Sequence, residues 1–166
     1  RFVAENLHCI VSYDIISKVV TLNQKAGKPI DGYATIVDCK WENHLGGNTG
    51  YQSYDNNEST SWATYAVNTE PCEIIYTFDK VYSLSQMDIM FNNPKDRSFY
   101  YEAYSSEDGI NWSTLVKNGE SVRMEVQDYQ EIKFSDKNNI KYIKLVCSGN
   151  SGSGSNNIVE IRFPVK

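Results

Sequence analysis

Nowhere does this chain repeat apolar residues at helical spacing for three turns; its apolar side chains fall in short β-branched and aromatic runs cut by turn residues. Residues 73–78 place Ile74, Tyr76 and Phe78 on one face by alternation, and 84–91 do the same with Met87, Ile89 and Phe91. Further runs read as strands at 34–39, 99–105, 122–126, 131–134, 142–147 and 158–163. About eight short strands with turns between them predict an all-β fold, an antiparallel β-sandwich. Asp108-Gly109 is a tight-turn signal, and Trp62 and Trp112 are expected in the core.

The chain of 166 residues suffices for one domain with a proper core. Residues 7–22 are apolar and β-branched and read as strands, and Gly27-Lys28-Pro29-Ile30-Asp31-Gly32 reads as a connection. Residues 1–30 are therefore expected to be an N-terminal extension or the end of a preceding segment, with 31–166 as the main domain. A net charge of −5 argues against nucleic acid or an acidic membrane surface as partner. No apolar run approaches the roughly 20 residues of a bilayer span. Cys9, Cys39, Cys72 and Cys147 show no C-x-x-C spacing, so zinc is not expected, and bridged or free buried thiols both remain open.

Catalysis finds little support, since the numerous carboxylates are not set among the aromatic and glycine residues that a glycosidase cleft would need. The two histidines, His8 and His44, stand beside no motif that would make either a base, and nucleophile-elbow, zincin and P-loop patterns are missing. No catalytic residue is assigned. The polar stretch Gln52-Ser53-Tyr54-Asp55-Asn56-Asn57-Glu58-Ser59-Thr60-Ser61-Trp62 is a loop. Asp55, Asn57, Ser59 and Thr60 offer hard oxygen ligands at spacings from which a loop begins to wrap calcium, although the glycine and glutamate of an EF-hand are missing. A solvated Asx-rich turn fits the same residues. The Gly/Ser-rich stretch 148–157 reads as a flexible surface loop between two strands.

Three segments taken together carry a family resemblance. Asp55-Asn56-Asn57-Glu58-Ser59-Thr60-Ser61-Trp62 resembles the D-G-x-x-x-T-x-W stretch of F5/8 type C, or discoidin-like, domains, in particular carbohydrate-binding module family 32. Arg97-Ser98-Phe99-Tyr100-Tyr101-Glu102 and Ser106-Glu107-Asp108-Gly109-Ile110-Asn111-Trp112 are similar to that family's arginine strand and S-x-D-G-x-x-W hairpin. Lys141-Tyr142-Ile143-Lys144-Leu145 through Gly149-Asn150, then Asn157-Ile158-Val159-Glu160-Ile161, resemble its closing strands. The likeness spans about residues 34 to 163.

The resemblance implies a jelly-roll-like, galactose-binding-domain-like sandwich with a structural calcium ion. Its ligands would be the Gln52, Asn57, Thr60 and Val159 carbonyls, the Thr60 hydroxyl, and the carboxylates of Asp55 and Glu160. Asn56 stands where the family usually has glycine, and asparagine tolerates the left-handed backbone needed there. Carbohydrate would bind at the loops of one end. Arg97 and Asn150 are the leading candidates, and Trp41, Glu42 and His44 would form a wall. The expected function is a noncatalytic carbohydrate-binding module, likewise monomeric, secreted or at the cell surface, that targets a larger protein to polysaccharide or host glycan. A discoidin-type adhesion module for protein or phospholipid is the alternative, one that apolar spikes on the loops would favour; the loops read as polar.

Overall fold

The computed structural model describes residues 9–14, 19–24, 29–42, 48–65 and 71–165, with side chains from Pro29 onward. Its strands are β1 (Cys9–Asp14), β2 (Val19–Gln24), β3 (Ile36–Trp41), β4 (Trp62–Tyr65), β5 (Cys72–Phe91), β6 (Phe99–Ser106), β7 (Ser113–Glu120), β8 (Tyr129–Asn150) and β9 (Ser155–Arg162), with one 3-10 turn at Gly50–Ser53. β1 and β2 pair with each other in a separate two-stranded sheet. The other strands form one antiparallel system that folds over on itself.

Two long strands make that folding possible. The first half of β5 pairs with β3 and with the second half of β8, whereas its second half pairs with β9 and the first half of β8. Register breaks between Thr77 and Gln86 mark where this β5–β8 ribbon bends from one layer into the other. One layer is therefore β3–β5–β8–β6–β7 and the other β4–β9–β5–β8. Polar residues occupy the bend because it crosses the open end of the sandwich.

The core lies between the layers. Cys72, Ile74, Tyr76 and Phe78 alternate inward along β5, and Ile143, Leu145 and Cys147 do so along β8. Phe163, after β9, packs edge-on against Phe78 at 5.0 Å and Tyr76 at 5.9 Å. Trp62 is fully buried, as expected, but Trp112 is only half-buried and lies on the outer face of the β5–β8–β6 layer. The turn before Trp112 stops short of the core and carries the ring outward.

Three other expectations change. Residues 122–126 form no strand; Val122 and Val126 point to solvent at 69% and 68% exposure. Residues 113–120, not among the expected runs, form the edge strand β7, in which Asn118 takes φ +53 among register shifts between β6 and β7. The supposed flexible loop at 148–157 is a tight hairpin, since β8 runs to Asn150 and β9 begins at Ser155. Cys39, Cys72 and Cys147 are buried free thiols, with Cys72 and Cys147 opposite each other across β5 and β8; the Cys9 side chain lies outside the described residues. Burial raises the Cys39 thiol to about 12 and pushes the Cys147 thiol up as well, which keeps both unreactive.

Candidate functional site

The loop after the 3-10 turn folds through its own polar side chains. Asn56 adopts φ +60, the left-handed conformation expected of the residue in the glycine position. Asp55 Oδ1 accepts from the Asn57 N–H at 2.9 Å, and the Thr60 hydroxyl donates to Asp55 at 2.8 Å while also lying 2.8 Å from the Asn57 carbonyl. Glu160 reaches this loop from β9: its Oε1 accepts from the Asn57 N–H at 3.1 Å, across 103 residues of sequence.

A β-bulge delivers that carboxylate. Met90 pairs with Glu160 and Phe91 with Ile158, so Val159 is the extra residue, and β9 is kinked beside the loop. Asp55, Asn57, Thr60 and Glu160 thus converge, with Val159 adjacent. Gln52 sits in the 3-10 turn, where its side chain accepts from the Thr49 N–H at 2.8 Å. Glu160 is wholly buried, and its Oε2 has no hydrogen-bond partner among the described residues. Burial, helped by the nearby Asp55 carboxylate and opposed by the Asn57 N–H, raises its carboxyl to about 8. A buried carboxylate oxygen without a donor, beside a second carboxylate and neutral oxygens, fits a hard cation. Among the described residues no group of three or more His, Cys, Asp or Glu is placed to hold a metal ion.

The described glycan candidates, Trp41, Glu42, Arg97 and Asn150, map to one end of the sandwich, because the strand registers bring the end of β3, the start of β6 and the end of β8 to the same side. They do not form one cluster. Trp41 packs edge-on against Tyr51 at 5.2 Å, and a Cβ on Gly50 would lie 2.6 Å from its ring, so the ring is engaged in holding its own loop. β3 and β6 are three strand positions apart, on the order of 14 Å. Glu42 is exposed, and His44 lies outside the described residues.

On the β6 side the loops are stitched together. Ser151 N–H donates to the Ser98 carbonyl at 2.8 Å, Ser98 N–H to Ser151 Oγ at 3.1 Å, and Met124 N–H to the Pro94 carbonyl at 3.1 Å. Arg97 is half-buried with its guanidinium 5.8 Å from the Phe99 ring centre, and Arg123 donates to Ser151 Oγ at 3.3 Å. Neither arginine meets a carboxylate among the described residues. Asn150 is engaged within its own hairpin. Its Nδ2 donates to the Ser155 carbonyl at 2.7 Å, and its Oδ1 accepts from the Gly152 and Ser153 N–H groups at 2.8 and 3.0 Å, so the amide shapes the hairpin that presents Ser151. Arg123 and Ser151 escaped the sequence reading because one lay in a supposed strand and the other in a low-complexity tract.

The fold defines a class, the antiparallel, jelly-roll-like β-sandwich. The F5/8 type C domain profile matches residues 37–161, and the chain belongs to that family. Among solved structures it is similar to a pectin-binding carbohydrate-binding module, with a TM-score of 0.72, 23% identity, and coverage of 78% of this chain and 91% of that one. It is also similar to the family 32 module of AlyQ in complex with 4,5-unsaturated mannuronic acid, with a TM-score of 0.71, 20% identity, and coverage of 79% and 96%. A third is a family 32 module of a family 31 glycoside hydrolase from Clostridium perfringens, with a TM-score of 0.63, 20% identity, and coverage of 81% and 92%. No curated protein matches the chain in sequence. No helix among the described residues is long and apolar enough to cross a membrane.

Proposed function

We propose that this chain is a noncatalytic, calcium-stabilised module, secreted or at the cell surface, that binds an acidic saccharide at its loop end and targets a larger protein to it. The observation that carries this reading is the pair of guanidinium groups, Arg97 and Arg123, which meet no carboxylate among the described residues and sit on loops locked by Ser98 and Ser151. On a chain of net charge −5, an unneutralised cationic pair at the loop end suits a carboxylate, which a guanidinium grips bidentately. Two of the similar structures are described by a pectin and by a mannuronate ligand, which agrees with an acidic sugar.

Calcium would be held by Asp55 and Glu160 with oxygens of Asn57 and Thr60, and by the Gln52 and Val159 carbonyls that the family likeness adds. When bound it supplies charge neutralisation for two carboxylates. The chain's own residues tie the loop to β9 and keep Glu160 buried. Titration with tetragalacturonate and with neutral tetrasaccharides tests the reading: the acid is expected to bind and to be lost in Arg97→Ala and Arg123→Ala. Equal binding by both variants overturns it.

A second reading has one observation in its favour. Val122 and Val126 flank Arg123 as exposed apolar side chains, contrary to the expectation of purely polar loops. An adhesion module for anionic lipid would use such residues. Sedimentation with phosphatidylserine vesicles, abolished by Val122→Asp, would establish that alternative.

A further inference from the structure

The S-x-D-G-x-x-W hairpin has no part in either site above, yet it builds a cleft on the outer face of the β3–β5–β8–β6–β7 layer. The hairpin leans over the sheet: a Cβ on Gly109 would lie 3.5 Å from the Tyr142 ring. Between it and edge strand β3 is a space of about 370 Å³, lined by Asp38, Lys40, Ile75, Thr77, Tyr142 and Trp112 among others. That is within the roughly 300–1,000 Å³ of small-ligand sites. Strand register sets its floor, since Asp38 lies opposite Thr77, Thr77 opposite Tyr142, and Lys40 opposite Ile75.

Both walls are rigid. Asp108 Oδ1 accepts from the Ser106 hydroxyl at 3.0 Å and from the Ile110 and Asn111 N–H groups at 2.8 Å, which fixes the turn. Lys144 is pinned by Glu73 at 3.2 Å and lies 4.9 Å from the centre of the Trp112 ring, so the indole rests on a fixed cation. A ligand meeting this aromatic wall has little side-chain freedom to freeze out.

The charges select the ligand. Asp108 is committed to its turn, leaving Asp38, which also accepts from the Tyr51 hydroxyl at 3.2 Å, and Lys40, which has no carboxylate partner among the described residues. Asp108 keeps its charge within that turn, so two carboxylates face one ammonium, and unlike the two-arginine loop end this cleft gives a uronate no net attraction. Aromatic faces with a few acceptors and donors suit the apolar face and the hydroxyls of an uncharged pyranose.

We propose that this cleft is a second saccharide site, taking a neutral hexose unit of a polysaccharide, with Trp112 as stacking wall and Asp38, Lys40 and Thr77 as hydroxyl partners. It is independent of the loop-end site. The test is a 1H–15N NMR titration of the full chain with cellotetraose, galactotetraose, mannotetraose and tetragalacturonate. At least one neutral tetrasaccharide is expected to shift the Trp112 indole N–H and the Lys40 and Gly109 amides saturably, in wild type and in Arg97→Ala alike. Trp112→Ala should weaken this binding roughly tenfold or more, as truncation of an aromatic anchor does. Lys40→Ala and Thr77→Val, at outward-facing positions, should weaken it too and keep the test valid if Trp112→Ala does not fold. The proposal is overturned if no neutral probe moves these signals, if only tetragalacturonate does, or if Lys40→Ala and Thr77→Val bind as wild type does.

Discussion

Glu160 is the residue whose surroundings demand most explanation, being buried with one oxygen bonded to the Asn57 N–H and the other without a hydrogen-bond partner among the described residues. A cation at that oxygen would stabilise the native state by about 2.7 kcal/mol at a hundredfold excess over its Kd. For a chain of this size that is roughly 5–11 °C in Tm, so EDTA should lower the melting temperature by that amount and calcium should restore it. Glu160→Gln separates a metal role from a packing role: its Tm should not respond to calcium, and in EDTA it should melt no lower than wild type, because it removes a carboxyl that must take up a proton to stay buried. An unchanged response to calcium in this variant refutes the site. Asp108 offers a pH test. Backbone N–H groups of Asn111 and Ile110 and the Asn111 side chain favour its ionised form and hold its carboxyl well below the usual range. Its contribution is therefore present above the unfolded-state value of about 3.9 and is lost as pH falls through the lower native value. Asp108→Ala should lower Tm at neutral pH and flatten the acid limb of the stability curve, as read by thermal melts from pH 2 to 7. Asp55 and Thr60 were legible because their loop is a contiguous polar motif, whereas Arg123 was not, because nothing local marks an arginine that a distant serine will anchor.

At the scale of elements, the hairpin joining β8 to β9 depends on its glycine. Gly149 has φ +92, and a Cβ there would stand 2.9 Å from the Ser153 carbonyl oxygen. Gly149→Ala should cost roughly 1–3 kcal/mol by denaturant unfolding and should also weaken loop-end binding, because Ser151 would be misplaced. The strand content was readable where a buried face runs for five residues or more, and the four-residue β4 was too short to show a period. β6 and both halves of β5 and β8 announced themselves by alternation, but the continuity of the two long strands did not. Their central bends at Asp79 to Ser83 and Ser135 to Asn139 are polar, like a turn, although the ladder persists around them. The false strand at 122–126 shows the converse, since β-branched residues at alternate positions carry no strand when neither face finds a core.

At the scale of the molecule, the β5–β8 ribbon belongs to both layers, so neither layer can unfold alone. Phe163→Ala, which removes the ring joining Phe78 and Tyr76, should cost roughly 3–5 kcal/mol, read as a single cooperative transition by denaturant. A weak loop-end site also makes a prediction about arrays: a tandem of two copies on a linker that spans neighbouring sugar sites should bind polysaccharide roughly 100- to 10,000-fold more tightly than one copy. The bond between Asn57 and Glu160 has a kinetic meaning as well. Its partners meet only after nearly the whole sandwich has assembled, and a fold made of such distant pairings forms slowly, in milliseconds to seconds. An ion held between those two segments would find no site in the folding transition state. Calcium should therefore leave the refolding rate unchanged and slow only unfolding, acting as a latch on the finished domain.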